Sequence, residues 1–341
     1  MNTYLASVIE NVKKKHGGEP EFVQTVEEVF SSLEPVIDKH PEYEKVDLLN
    51  RMVEPERMFT FRVCWEDDQG RWHTNTGWRC QFNGALGPYK GGLRFQANVY
   101  PGIIKFLGFE QIFKNSLTGL PIGGGKGGAD FDPAGKSEAE IMRFCQAYMQ
   151  ALYRYIGPDI DVPAGDMGVG GREIGYLFGE YRRLKGAWEN GVLTGKGFAS
   201  GGSRIRPEAT GFGAVYYLQN VLEHEGEEIA GKTIACAGFG NVTWGICRKV
   251  AELGAKVVTL SGPDGYVYDP DGVTTEEKIA YLVEMRASGR NRVQDYAEKF
   301  GVAFHAGEKP WGVKVHLVMP TAMQNDVHKE SATQIAANPE K

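Results

Sequence analysis

The sequence predicts an α/β protein built from two domains. Its 341 residues, 42% of them hydrophobic, are enough to form two separate cores. In the first half, apolar residues with helical spacing are followed by short alternating runs that are typical of strands. In the second half, a buried strand, a glycine-rich turn, a helix and a second strand follow one another directly. We place the boundary at residue 200, with domains over 1–200 and 201–341.

The composition argues against several classes of protein. The net charge is −6, whereas a nucleic-acid partner requires a basic face that displaces phosphate counterions. No segment approaches the roughly 18 apolar residues of a membrane span, and the first residues lack the basic and apolar regions of an export signal. We therefore expect a soluble, cytoplasmic protein with neither a nucleic-acid nor a membrane partner.

Five cysteines and seven histidines are scattered along the chain. The cysteines are odd in number and widely spaced, which is typical of free thiols in a reducing cytoplasm. No spacing of His or Cys residues matches a zinc site. We expect neither a structural nor a catalytic metal.

The first segment is predicted to be helical and the next to form a sheet. Apolar residues recur every three or four positions from Phe22 to Leu33, on one face of a helix that is expected to end before Pro35. Alternating runs at residues 59–63 and 77–82 then indicate a β-hairpin and the start of a sheet.

Residues 121–128 set one lysine, Lys126, among five glycines. A loop so poor in side chains can pass close to a ligand and adopt positive φ angles. It does not match a nucleotide-phosphate loop, because Leu120 stands where that pattern needs glycine and Gly127 where it needs Ser or Thr. On its own, the stretch is equally compatible with a solvated surface loop.

Two further lysines precede this stretch. Lys90 lies beside paired glycines, and Lys114 follows a segment, 106–114, whose apolar spacing is helical. A single lysine of this kind is more often solvated than functional. Three within about forty residues would suit a substrate with two carboxylates.

An acidic loop follows at residues 157–170. Asp159 and Asp161 are interpreted as turn-forming residues, since short acids bond to nearby backbone amides. Asp166, next to Gly165, is the better candidate for proton transfer, because burial can raise the pKa of a carboxyl group.

The second half contains the pattern of a dinucleotide fingerprint. Residues 232–237 indicate a buried strand, a Gly-x-Gly turn at 238–240 leads into a helix ending at Leu253, and 256–260 indicate the next strand. In this setting a pyrophosphate binds at the helix N-terminus. Thr243 occupies a position that usually holds Gly or Ala, so the packing of strand and helix is expected to loosen without being lost. The alternative is a βαβ unit that binds nothing.

Together these segments resemble glutamate dehydrogenases of the small homohexameric class, within the Glu/Leu/Phe/Val dehydrogenase family. The similarity extends over the whole chain, and its most specific segments are residues 87–95, 105–114, 121–132, 157–170, 191–196, 206–211 and 238–241. The resemblance implies an N-terminal substrate-binding and assembly domain, followed by a Rossmann-like dinucleotide-binding domain. It also implies reversible oxidative deamination of L-glutamate to 2-oxoglutarate and ammonia, with hydride transfer to NAD or NADP.

Carried over by motif, the resemblance assigns roles to the residues of the first domain. Lys126 would be the catalytic lysine and Asp166 the proton-transfer acid. Lys90 would bind the side-chain carboxylate of the substrate. Gln111 and Lys114 would hold the α-carboxylate of the substrate, and Gly165 would contact the substrate through its backbone.

Coenzyme contacts are expected in the second domain. The fingerprint and the resemblance together assign them to Thr210, Gly238, Phe239, Gly240, Asn241, Val242, Asp264 and Asn325. We expect NAD in preference to NADP, because an acid at the strand end favours the free ribose hydroxyl and Phe239 offers no donor to a phosphate. The alternative is that arginines fold back towards a 2′-phosphate, the candidates being Arg286, Arg290 and Arg292.

The chain departs from the family pattern near its end. His316 stands where an acid is usual, Thr321 replaces Cys, and Met323 replaces Thr. The family continues beyond residue 341, so the coenzyme domain is expected to be incomplete. Two alternatives therefore stay open, a dehydrogenase for branched or aromatic amino acids and an inactive assembly subunit.

Overall fold

The computed structural model describes residues 2–288, 290–323 and 325–338. The chain divides into two compact units, Met1–Ser203 and Arg204–Lys341, three residues from the predicted boundary. Both units combine helices with a sheet, so the predicted α/β class is confirmed.

The first unit contains a five-stranded sheet in the order β1-β2-β4-β3-β5. Its strands are β1 Arg57–Glu66, β2 Trp72–Asn83, β3 Tyr89–Phe95, β4 Gly124–Ala129 and β5 Asp161–Gly165. Its helices are α1 Thr3–Lys15, α2 Pro20–Ile37, α3 Glu42–Lys45, α4 Leu48–Val53, α5 Pro101–Ser116, α6 Glu138–Leu152 and α7 Gly171–Lys185. β1 and β2 form the predicted hairpin, and β4, β3 and β5 are parallel to one another.

Helices cover both faces of this sheet. Helices α1, α2 and α5 share one core with the β2 residues Trp78, Cys80 and Phe82. Helices α6 and α7 share another with Leu93 and Phe95 of β3. The two faces therefore separate alternate residues of each strand, as the pleat of a strand requires.

The prediction that α2 ends before Pro35 was wrong, because the helix continues to Ile37. A proline removes one N–H donor and disturbs the preceding turn. Pro35 lies in the last turn of α2, where that loss affects little of the helix.

The glycine-rich stretch around Lys126 is a strand and not the predicted loop, since Gly124–Ala129 forms β4. Its glycines do not have positive φ angles. On the α5 face, a Cβ added to Gly124 would lie 2.3 Å from Cγ2 of Ile112, and one on Gly128 would lie 3.1 Å from Cδ1 of Ile104. These glycines therefore let α5 pack directly on the strand.

On the opposite face of β4, glycine makes room for Arg79. A Cβ on Gly125 would lie 3.3 Å from Nη2 of Arg79, and one on Gly127 would lie 3.1 Å from its Cδ. Because side chains alternate along a strand, Lys126 points to the α5 face between these two glycines.

Arg79 crosses two strands to reach Asp161, and both side chains are fully buried. Its Nε donates to Oδ2 of Asp161 at 2.8 Å, Nη2 donates to Oδ1, and Nη1 donates to the carbonyl of Gly91 at 3.0 Å. The interpretation of Asp161 as a turn residue was wrong. It starts β5, and its carboxylate is held by an arginine far away in the sequence.

The second unit has a five-stranded sheet in the order β10-β6-β7-β8-β9. Its strands are β6 Thr233–Ala237, β7 Lys256–Gly262, β8 Gly265–Tyr268, β9 Ala303–Ala306 and β10 Leu317–Pro320. Its helices are α8 Arg206–His224, α9 Asn241–Glu252, α10 Glu276–Ala287, α11 Gln294–Phe300 and α12 Lys329–Ala336. The β6-α9-β7 unit confirms the predicted Rossmann-like arrangement, whereas the antiparallel pairing of β7 with β8 was not predicted.

The described residues contain neither a membrane-spanning helix nor a cluster of metal ligands. No helix among them is long and apolar enough to cross a bilayer. Nor do residues 2–288, 290–323 and 325–338 contain three or more His, Cys, Asp or Glu side chains grouped as metal ligands.

We expect Asp161→Ala to destabilise the protein by about 3–5 kcal/mol, because it leaves the Arg79 guanidinium buried without its counter-ion. Urea unfolding followed by tryptophan fluorescence measures the loss. Asp159→Ala is the matched control, since Asp159 is exposed two residues earlier, and it should change the free energy of unfolding by less than about 0.5 kcal/mol. Equal effects of the two substitutions would show that the ion pair does not stabilise the sheet.

Candidate active site

The structure brings the two predicted catalytic residues into direct contact. Lys126 lies on β4 and Asp166 follows the end of β5, and Nζ of Lys126 is 2.5 Å from Oδ2 of Asp166. Arg94, on β3 between these two strands, places its Nε 3.4 Å from the same oxygen. The side chains of Lys126, Arg94 and Asp166 are 8%, 7% and 19% exposed, so all three are largely shielded from water.

Burial lowers the pKa of Lys126, because the ammonium form loses its hydration. The carboxylate of Asp166 opposes this shift, and the charges of Arg94 and Lys114 add to it. Burial contributes more to this lowered pKa than the neighbouring cations do.

The pKa of Asp166 is lowered, contrary to the expectation that burial would raise it. Burial does favour its neutral form, but the charges of Lys126 and Arg94 outweigh that effect. Asp166 is therefore ionised at neutral pH in this structure. Its other oxygen, Oδ1, accepts a hydrogen bond from the amide of Met167 at 2.8 Å.

Lys90 lies on β3, four residues before Arg94 and therefore on the same face. Its Nζ donates to the hydroxyl of Thr194 at 2.9 Å. The amide of Thr194 donates in turn to the carbonyl of Pro163 in β5 at 2.9 Å. Sequence reasoning missed both Arg94 and Thr194, although the alternation of β3 could have indicated Arg94.

The remaining predicted substrate residues lie on α5 and at the end of β5. Gln111 and Lys114 lie on α5, and a Cβ on Gly91 would be 3.2 Å from Cγ of Gln111. Gly165 ends β5 and pairs with Leu93 of β3. The first unit thus carries every substrate-binding and catalytic residue predicted for it on α5, on β3 and β4, and at the end of β5.

This arrangement combines a buried lysine–carboxylate pair with further cationic side chains. A buried amine whose protonated form is disfavoured can exchange a proton with an adjacent carboxylate or with a substrate. Lysine and arginine side chains bind carboxylates through charge-assisted hydrogen bonds. The first unit is therefore equipped for acid–base chemistry on a small anion.

The second unit contains the predicted dinucleotide fingerprint in the expected geometry. Gly238 follows β6 with φ of +92°, a conformation that favours glycine. Gly240 precedes α9, which starts at Asn241. The first amides of a helix have no partner within it, so those of Asn241 and Val242 suit a pyrophosphate.

Two departures from the family pattern are bonded to each other. Thr243 is fully buried in α9, and its hydroxyl lies 2.8 Å from the hydroxyl of Thr321. Thr321 donates to the carbonyl of Ala237 at the end of β6, so Thr243 is the donor to Thr321. Thr243 is therefore accommodated in the fingerprint with its buried hydroxyl bonded.

His316 also has a defined role. Its Nδ1 accepts from the amide of Thr233 at 3.0 Å, an interaction that a carboxylate could also make. Nothing in the structure explains Met323, which is exposed. Gln324, which follows it, lies outside the described residues.

Asp264 lies in the turn between β7 and β8, Phe239 lies in the turn between β6 and α9, and both have structural contacts. The carboxylate of Asp264 accepts from the amides of Val293 and Gln294, each at 3.0 Å, and so caps α11. A ribose contact would use its remaining lone pairs. Phe239 is 5% exposed, within the core of this unit.

The arginines considered for a 2′-phosphate are engaged or exposed. Arg290 pairs with Asp295 at 2.8 Å, and Arg292 pairs with Glu298 at 2.7 Å. Arg286 is exposed on α10. These ion pairs count against a phosphate-binding cluster in this structure.

Thr210 and Asn325 complete the predicted coenzyme residues. Thr210 is exposed near the start of α8, next to Gly211, where a Cβ would lie only 2.4 Å from the carbonyl of Val242. This close packing holds the first turns of α8 and α9 together. Asn325 is exposed after β10, with φ of +59°.

Comparisons with known proteins agree with this arrangement. The family model for the dimerisation domain of Glu/Leu/Phe/Val dehydrogenases matches residues 55–183, and that for glutamate/leucine/phenylalanine/valine dehydrogenase matches residues 201–339. An NAD-specific glutamate dehydrogenase from Clostridium symbiosum is 67% identical over 338 residues, which cover 99% of this chain and 75% of that protein. An NADP-specific glutamate dehydrogenase from Haemophilus influenzae is 52% identical, over 98% of this chain and 74% of that protein.

A solved structure of a glutamate dehydrogenase is similar throughout. Its TM-score is 0.97 at 67% identity, and the match covers 100% of this chain and 76% of that one. The sequence matches, the shared fold and the site geometry agree, and we conclude that this chain belongs to the glutamate/leucine/phenylalanine/valine dehydrogenase family.

Proposed function

We propose that this protein catalyses the reversible oxidative deamination of L-glutamate to 2-oxoglutarate and ammonia, with hydride transfer to NAD. The observation that carries this proposal is the buried contact of Lys126 with Asp166, 2.5 Å between Nζ and Oδ2. The similarity to proteins named glutamate dehydrogenase supports the choice of substrate.

The substrate is held by its two carboxylates. Lys90, already oriented by Thr194, binds the side-chain carboxylate. Gln111 and Lys114, on α5, bind the α-carboxylate that all amino acids share. The side chain of an aliphatic substrate offers no carboxylate for Lys90 to bind, whereas that of glutamate does, which favours glutamate over branched or aromatic amino acids.

Lys126 and Asp166 transfer protons to and from the oxygen and nitrogen that are bound to the reacting carbon. Protonated Lys126 polarises the carbonyl oxygen of 2-oxoglutarate, and its lowered pKa lets it release the proton when water leaves. Ionised Asp166 accepts a proton from the nitrogen as ammonia adds. In the direction of deamination, the same two groups act in reverse.

The fingerprint of the second unit fits a nicotinamide dinucleotide. The positive φ of Gly238 and the free amides at the start of α9 would hold its pyrophosphate. When bound, NAD supplies the hydride acceptor. Asp264 at the strand end and the apolar ring of Phe239 favour NAD, and NADP is the alternative, because relatives specific for either coenzyme are similar to this chain.

We also propose a homohexamer in the cytoplasm. The match of residues 55–183 to a dimerisation domain supports self-association. The five cysteines carry free thiols, which is compatible with a reducing compartment.

The purified protein should reduce NAD in the presence of glutamate, and Lys126→Ala should lower kcat to a few per cent of that rate or less. Asp166→Asn should lower kcat by about 10²-fold, as expected for loss of a general acid or base. Steady-state kinetics at 340 nm measure both. Lys136→Ala, which changes an exposed lysine of the same unit, should keep full activity. An active Lys126→Ala variant would remove Lys126 from the chemistry.

Lys90→Leu should lower kcat/KM for glutamate and raise the relative use of norleucine, because the side-chain carboxylate loses its ion partner. The ratio of kcat/KM for the two substrates measures this specificity. Lys114→Ala is the matched control, because loss of a lysine that binds the α-carboxylate should lower kcat/KM for both substrates alike. An unchanged ratio in Lys90→Leu would contradict the role of Lys90.

We expect kcat/KM to be higher with NADH than with NADPH. Asp264→Ser should narrow this difference, because it removes the charge that opposes a 2′-phosphate and keeps an oxygen that can cap α11. Asp271→Ser, at an exposed acid in the same unit, should leave the ratio unchanged. A wild-type preference for NADPH would overturn the coenzyme assignment.

A further inference from the structure

Asn115 lies at the end of α5 and has no role in the chemistry described above. Its side chain is buried, with 5% of the residue exposed. Its Nδ2 donates to the carbonyls of Lys90 at 3.0 Å and Gly123 at 2.6 Å. Its Oδ1 accepts from Nε2 of Gln111 at 2.8 Å. One side chain thus contacts three segments that carry or adjoin substrate-binding residues.

These contacts fix the orientations of two side-chain amides, first that of Asn115 and through it that of Gln111. Carbonyl oxygens only accept hydrogen bonds, so the nitrogen of Asn115 must face Lys90 and Gly123. Its oxygen must then face Gln111, which has to present its own nitrogen. The carbonyl of Gln111 cannot take that place, because it would meet the oxygen of Asn115.

Gln111 is the residue proposed to bind the α-carboxylate of the substrate. An amide nitrogen carries two hydrogens, and Gln111 uses one of them to bond Asn115. The second hydrogen belongs to the same fixed nitrogen, so its direction is set by Asn115. A carboxylate needs a donor, and a freely rotating glutamine would present its oxygen part of the time.

Asn115 also holds the backbone that carries Lys90. Strand β3 pairs with β4 only from Leu93 onward, so Lys90 precedes that pairing. The bond from Asn115 joins this early part of β3 to α5, and the bond to Gly123 joins α5 to the residue before β4.

We propose that Asn115 is a positioning residue of the substrate pocket, which orients the donor of Gln111 towards the substrate α-carboxylate. The proposal rests on the function proposed above. It predicts that Asn115 affects the binding of glutamate and 2-oxoglutarate through Gln111, and that it has little influence on the binding of the coenzyme.

The test compares the full-length wild type with Asn115→Ala, Gln111→Ala and the double variant. Asn115→Ala should raise KM for glutamate about tenfold, the size expected when one hydrogen bond to a charged group is lost. The KM for NAD should change less than twofold. In the Gln111→Ala background, Asn115→Ala should raise KM for glutamate by less than twofold further, since the residue through which it acts is already absent.

Asn75→Ala controls for a general loss of stability. Asn75 lies in β2 of the same unit, where its Nδ2 donates to the carbonyl and carboxylate of Asp130 and its Oδ1 accepts from Nε1 of Trp65. Asn75→Ala therefore loses a similar set of hydrogen bonds, at a place away from the substrate residues. Its unfolding midpoint should fall as that of Asn115→Ala does, with KM for glutamate unchanged.

Three results would overturn the proposal. One is an equal KM in Asn115→Ala and Asn75→Ala, and another is a double variant whose KM rises by the product of the two single effects. The third is a Gln111→Ala enzyme with an unchanged KM for glutamate. A wild-type protein without glutamate-dependent turnover would be a different result, because it overturns the proposed function together with everything that rests on it.

Discussion

The first unit depends on one interaction, the buried ion pair of Arg79 with Asp161. The arginine starts on β2, passes over β4 and β3 and ends at the first residue of β5. Gly125 and Gly127 of β4 face this path, and the absence of side chains there leaves room for the arginine. Because side chains alternate along a strand, Lys126, between these two glycines, faces α5. The proposed catalytic lysine and the ion pair therefore lie on opposite faces of the same strand.

Such a pair defines the arrangement of strands more than it adds net stability. Removing two charges from water costs several kcal/mol per ion, and a good geometry only repays that cost. A shift of β5 by one residue would leave a buried guanidinium facing no carboxylate. The ion pair therefore favours one register of β5 over its neighbours, and Asp166, which follows that strand, takes its place beside Lys126 as a result.

Local patterns in the sequence predicted the parts of the fold that depend on local physics. Helical spacing, strand alternation and the glycine turn before α9 could all be predicted, because each arises from residues close together in the chain. The glycines around Lys126 were misinterpreted, since a loop with positive φ and a strand under close packing require the same residue. The role of Asp161 depends on a partner 82 positions away, and that of Asp264 on a helix about 30 positions later. No local pattern contains such information.

The site was predicted unevenly for the same reason. Resemblance to a family supplied Lys126, Asp166 and Lys90, which the structure brings together. Arg94 could have been found by counting two residues at a time from Lys90 along β3. Thr194 and Asn115 could not, because each meets its partners only after loops and helices have folded onto the sheet.

The bonded threonines of the second unit have a consequence for how this chain could change. Thr243 donates to Thr321, which donates to the backbone of Ala237 beside the fingerprint turn. Replacing Thr321 alone would leave a hydroxyl inside the protein with no acceptor, and replacing Thr243 alone would leave a gap against the end of β10. The two positions are therefore coupled, and we expect a variant that alters both together to keep this turn better packed than a variant that alters either one alone.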